Sequence, residues 1–166
     1  ELHQSPGKNA DAETVFTILT RAMEVAHLVP GVDAFIGVDV AAQRLYEAET
    51  ASYRCDGGVL TTYDLTTRYS TWRQRYPILS LQDPFAADSW EPWQAFTHQY
   101  GHLMQIIGDE LYRGVADRVQ QGIVLGATRA VSVRLSYQRT LSQILQTILL
   151  AQEGRQHVMM AANTVE

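Results

Sequence analysis

One cysteine, Cys55, stands in 166 residues, so no internal disulfide can staple the fold, and the usage suits a reducing compartment. Basic residues are also few. Thirteen Lys and Arg face eighteen Asp and Glu, for a formal net charge of −5. They are scattered, with no run that could track a phosphate backbone, which argues against a nucleic-acid partner. Long apolar runs are missing: stretches such as Ile144–Ala151 fall far short of the roughly 20 residues that cross a bilayer. No basic segment leads into an apolar one at the start, as an export signal requires. The expectation is a cytoplasmic protein with no membrane partner. The chain starts at Glu1 rather than Met, as a piece of something longer would.

What is present is a globular composition, 46% hydrophobic and 19% charged, enough for one domain and too little for two with a linker. Helix-like and strand-like segments alternate. Ala12–Leu28 places Val15, Ile18, Leu19, Ala22, Met23 and Ala26 on one face at a period of about 3.6 residues. Ala34–Val40 is short, apolar and β-branched, as a buried parallel strand should be. Thr62–Tyr76 reads as a helix with Leu65, Tyr69 and Trp72 inward, stopped by Pro77. Ile78–Gln82 (strand), Asp88–Tyr100 (helix), Leu103–Ile107 (strand) and Val115–Gln121 (helix) follow. Ala130–Leu135 (strand), Thr140–Gln152 (helix) and His157–Met160 (strand) complete the series. Pro30-Gly31 and Asp56-Gly57-Gly58 carry turn chemistry.

Such alternation predicts an α/β fold, a parallel sheet covered by helices. In these sheets chemistry collects at the carboxyl ends of the strands. The residues expected there are Asp39, Gln82, Asp109 and Arg134, with Ala161-Ala162-Asn163 after the last strand. His102 and His157 fall at strand starts, the opposite end. His98 and His102 are four apart, but without a third ligand they make no metal site. Trp90 and Trp93 read as packing.

The chain resembles the enolase family. YPILSLQDPFAADSWEPW (76–93) is similar to the family's YP-x-x-SIEDPF-x-x-DDW-x-x-W stretch. VDVAAQRLYEAET (38–50) resembles its metal-ligand strand and loop, and IIGDEL (106–111) its VVGDDL segment. The resemblance implies part of an enolase-type (β/α)8 TIM barrel over residues 1–166, without the capping domain and the remaining barrel elements. It further implies that Asp39, Gln82 and Asp109 occupy three Mg²⁺-ligand positions, with Gln82 where the family has Glu. Arg134 stands at the general-base Lys position. Ala161 and Ala162 stand at substrate-binding His and Arg positions. The family's catalytic acid would fall near Glu1–Gly7, where ELHQSPGKN keeps too little of the motif to assign Glu1 to that role.

These substitutions remove chemistry. A Gln carbonyl can coordinate Mg²⁺ but brings no charge, leaving two carboxylates for a hard dication that favours anionic oxygen. Arginine stays protonated at any physiological pH, so Arg134 cannot take a proton from carbon. It is expected instead to pair with Asp39 or Asp109, putting a salt bridge where the metal was. The sequence thus reads as a pseudo-enolase, a structural component of a larger assembly. Its partners would be other protein subunits or the rest of its own chain, and the setting a ciliary or flagellar axoneme, where divergent enolase-like proteins occur. No cofactor is expected, with Mg²⁺ only if a residual site functions. The enzymatic alternative is a Mg²⁺-dependent phosphopyruvate hydratase acting on 2-phosphoglycerate.

Overall fold

The computed structural model describes residues 11–55, 57–137 and 140–161. The first helix, α1 (Ala12–Val25), begins where the Asp11 carboxylate accepts the Thr14 N–H at 2.7 Å. It leads to strand β1 (Ile36–Asp39). A small antiparallel sheet comes next, formed by β2 (Tyr46–Glu47), β3 (Ser52–Cys55) and β4 (Gly58–Leu60). Helix α2 (Thr62–Arg75) starts with a reciprocal capping box between Thr61 and Asp64. The rest is regular: β5 (Ile78–Gln82), α3 (Trp90–Tyr100), β6 (Gln105–Gly108), α4 (Ala116–Leu125), β7 (Ala130–Arg134), α5 (Leu141–Glu153) and β8 (His157–Ala161).

Five of the strands form one parallel sheet in the order β1-β5-β6-β7-β8, each joined to the next by a crossover containing a helix. This is the repeating architecture of part of a (β/α)8 barrel, the fold expected from sequence. Parallel strands run their carboxyl ends to one rim, so the loops after β1, β5, β6 and β7 gather on one side.

The core lies between sheet and helices and is largely aromatic. Tyr69 and Trp72 of α2, Phe85 of the loop after β5, and Trp93 and Phe96 of α3 are all buried. Their rings meet edge-on, with Tyr69–Phe96 centroids at 5.8 Å and Phe85–Phe96 at 5.5 Å.

Two sequence expectations need correction. The inward face of α1 rests on Phe16, which packs edge-on against Trp72 at 5.1 Å and Tyr76 at 5.3 Å. Leu19 is 42% exposed and Ala26 is also exposed. An outer helix touching its neighbour along a narrow strip can leave much of an apolar stripe in water. The antiparallel sheet was not anticipated at all, because strands of two to four residues are too short to establish a period. The Tyr46–Tyr53 ring contact and the Arg54–Glu47 bridge hold it together.

Candidate functional site

The strand-end residues come together on adjacent strands. Asp39 ends β1 in register with Gln82, which ends β5. Gln82 in turn pairs in register with Ile107 of β6, two residues before Asp109. Arg134 ends β7, in register with Ala161 at the end of β8. Ala162, Asn163 and Glu1 lie outside the described residues.

The side chains close a charged contact. The Arg134 guanidinium donates Nη2–H to Asp109 Oδ2 at 2.5 Å. The same oxygen accepts a longer bond from Gln82 Nε2 at 3.4 Å. Asp109's side chain is only 2% exposed, whereas Arg134's is 30%. The carboxylate is thus withdrawn from water and its countercharge reaches in from the rim. The hydrogen bond to Asp109 pushes the Arg134 pKa above its ordinary value; partial burial opposes the rise, and the fields of Asp109, Tyr137 and Asp39 add to it. Asp39 itself is exposed.

This pocket also concentrates unsatisfied polar atoms. Among the described residues, the buried side-chain atoms without a hydrogen-bond partner are Asp109 Oδ1, Glu110 Oε2, Ser132 Oγ and Arg134 Nε. All four belong to β7 or the loop after β6. Ser132 and Arg134 are two apart on one strand and share a face. Among the described residues, the buried side-chain polar atoms elsewhere find partners, so this rim is locally under-satisfied.

A residue that sequence reasoning passed over organises the site. Asp83 is buried and adopts φ +47°, a left-handed conformation that Asp tolerates better than most side chains. Its Oδ1 accepts from Asp109 N at 3.0 Å and Leu111 N at 3.4 Å, and its Oδ2 from Glu110 N at 2.9 Å. The loop that carries Asp109 is thereby fixed to the loop after β5. Burial pushes the Asp83 carboxyl up to about 6, against the opposing pull of its backbone donors. The signal was present in the sequence as an Asp-Pro pair directly after a strand.

The following loop, Pro84 to Asp88, is bound on several sides. Tyr69 donates its hydroxyl to Pro84 O at 2.8 Å, and Trp93 Nε1 donates to Ala86 O at 3.0 Å. Ala86 N donates to Tyr53 OH at 3.1 Å and Ala87 N to Gln43 Oε1 at 2.8 Å. Arg118 donates to Leu111 O at 2.6 Å, Ala87 O at 2.6 Å and Asp88 Oδ1 at 3.0 Å. It also stacks over Trp90 with its carbon 5.1 Å from the ring centroid. The small antiparallel sheet therefore has a purpose visible in the geometry: it supplies Tyr53 as a strut beneath this loop. Trp93 is fully buried, which agrees with packing. His102 and His157 lie at the amino-terminal rim of the sheet, away from Asp109.

Two carboxylates, Asp39 and Asp109, face this rim as candidate ligands for a hard cation. One oxygen of Asp109 is already held by a guanidinium. Among the described residues no three His, Cys, Asp or Glu side chains are grouped so as to hold a metal ion. The donor set does not fit Mg²⁺, which requires several hard oxygens in near-octahedral array. Residues 5–166 match the family model described as the enolase C-terminal TIM barrel domain, and the chain belongs to that family.

Proposed function

From that membership as premise, we propose that the chain is a catalytically degenerate enolase-like protein that serves as a structural component of a larger assembly. The observation that carries this reading is the Arg134–Asp109 pair at 2.5 Å. A guanidinium at the rim supplies internally the positive charge that a metal would otherwise bring. Having no lone pair to offer near neutral pH, it cannot act as a general base. Ala161, beside it in register, offers only a methyl group where a substrate would need a hydrogen-bonding or charged partner.

The framework around this rim supports the same reading. Asp83, Tyr53, Trp93 and Arg118 hold the loops by buried hydrogen bonds while the strand ends carry side chains unsuited to the reaction. A chain retained for its shape would keep these contacts. The outer surfaces are suited to association. The strands β1 and β8 are the sheet's edges, and an open edge is a place for another chain or the rest of its own to pair. On α5, Leu141, Leu145 and Leu149 recur every fourth residue with exposures of 73%, 59% and 58%. The setting we favour is a cytoplasmic, axoneme-like assembly, on the strength of the resemblance alone.

Calorimetric titration with Mg²⁺ at neutral pH tests the site. The expected result is no saturation at micromolar concentrations. Tight stoichiometric binding would mean that Asp109 leaves Arg134 for the cation, and would sink the proposal that the guanidinium replaces it.

A further inference from the structure

At the opposite rim, where the strands begin, lies an open cavity of about 620 Å³. It is lined by Leu79 of β5, Gly101 to Gln105 leading into β6, Arg129 before β7, and Arg155 and His157 around the start of β8. Four of these side chains, His102, Arg129, Arg155 and His157, are cationic or can become so, and none is acidic. That bias is unexpected in a chain whose acidic residues outnumber its Lys and Arg by eighteen to thirteen. Among the described residues, Arg129 and Arg155 make hydrogen bonds through their backbone alone, and neither guanidinium has a hydrogen-bond or ion-pair partner. Among the described residues Arg118 and Arg134, by contrast, have their guanidiniums engaged by protein oxygens.

The backbone conformation at Arg155 supplies a way to test its side chain separately from folding. Arg155 adopts φ +56°, the left-handed conformation that commonly ends helices and that glycine or asparagine fills with least strain. The residue before it, Gly154, caps α5 at φ −76° and does not use that freedom. The chain therefore places an arginine where glycine would be conformationally easier, and its guanidinium lines the cavity. Gly101 lies close to the second guanidinium: a Cβ there would meet the Thr97 carbonyl oxygen at 2.5 Å and Arg129 Nε at 2.7 Å.

We propose that this cavity is a binding site for a small, multiply charged phosphate-bearing anion. Two forked guanidiniums match phosphate oxygens in charge and geometry. The two histidines add donors, and the volume lies within the range of small-ligand sites. The site is distinct from the Asp109 rim and lies at the other end of the same strands.

Inorganic pyrophosphate is the probe, titrated calorimetrically at constant ionic strength. Saturable binding is expected, weakened about tenfold or more by Arg129→Gln and again by Arg155→Gly. The second substitution also separates binding from folding. Because it relieves backbone strain, the urea midpoint should hold or rise while affinity falls. No saturable binding of pyrophosphate to the unmodified protein would overturn the proposal. So would affinity unchanged in the Arg129→Gln/Arg155→Gly double variant, or a lower urea midpoint for Arg155→Gly, which would assign Arg155 to stability instead.

Discussion

Replacing Arg134 with Met keeps most of the side chain's apolar length and removes its charge. Asp109 would then be left 2% exposed, with Oδ1 already unpartnered and Oδ2 retaining only the 3.4 Å bond from Gln82. Removing one member of a buried ion pair costs about 3–5 kcal/mol, because the remaining charge is stranded. Arg134's side chain is 30% exposed, so water can reach the vacated space and lower the cost to about 2–3 kcal/mol. Asp109→Asn should cost less, about 1–2 kcal/mol, since Arg134 can turn its guanidinium to solvent. The double variant strands no charge, so it should resemble Asp109→Asn and not the sum of the two. The expected coupling then equals the Arg134→Met cost, about 2–3 kcal/mol, within the range measured for residues in contact. Urea denaturation reads it directly. With a slope of about 1–3 kcal/mol per molar, Arg134→Met should move the midpoint by about 1–2 M. Additivity of the two single variants to within about 0.5 kcal/mol would mean the pair contributes nothing as a pair. The view of Arg134 as an internal countercharge would then fail.

Gln82→Glu adds a second carboxylate beside Asp109 and should compete for Arg134. Apparent Mg²⁺ affinity by calorimetry should increase, though it should stay weak while the guanidinium is present; unchanged affinity would place Gln82 outside any cation's reach. Asp83→Asn keeps one acceptor but turns an N–H₂ toward a backbone N–H, costing about 1–3 kcal/mol in chemical denaturation. The same variant tests the sign of a pH effect. Because burial raises the folded carboxyl from its ordinary 3.8 to about 6, its favourable contribution is complete below about 4 and is lost as pH rises through about 6. Stability of the unmodified protein should decline across that window, and Asp83→Asn should flatten the decline; an unchanged slope refutes the assignment. Arg134→Lys supplies an amine that burial could neutralise, yet it should not bring hydratase activity, because Ala161 leaves a substrate unanchored; measurable turnover by that single variant would contradict the account.

The parallel elements were legible because each short apolar strand alternates with a helix long enough to show its period. Ile78–Gln82 matches its expected bounds, and α2 buries Leu65, Tyr69 and Trp72 as its spacing implied. The strand-end set followed from those bounds: Gln82, Asp109 and Arg134 are joined by contacts, and Asp39 is in register with Gln82. Of the two partners expected for Arg134, the structure selects Asp109. Sequence could not choose between them, since both carboxylates follow short apolar strands and differ only in burial. Asp83 escaped notice because its chemistry is directed at backbone N–H groups that come from 26 to 28 residues later in the chain. The polar struts Tyr53 and Gln43 were hidden for the same reason: their partners, Ala86 and Ala87, become neighbours only when the two loops meet. The basic cavity draws its cationic residues from the starts of three strands, β6, β7 and β8, a spacing no local pattern reveals.

The most direct test of the central claim is turnover of 2-phosphoglycerate by the full-length protein with saturating Mg²⁺, followed by the ultraviolet absorbance of phosphoenolpyruvate. The account predicts a rate indistinguishable from the protein-free blank at every pH near neutrality, because Arg134 cannot accept a proton from carbon. Sustained conversion by the unmodified protein, abolished by Asp109→Ala, would contradict it and establish the chain as a working hydratase.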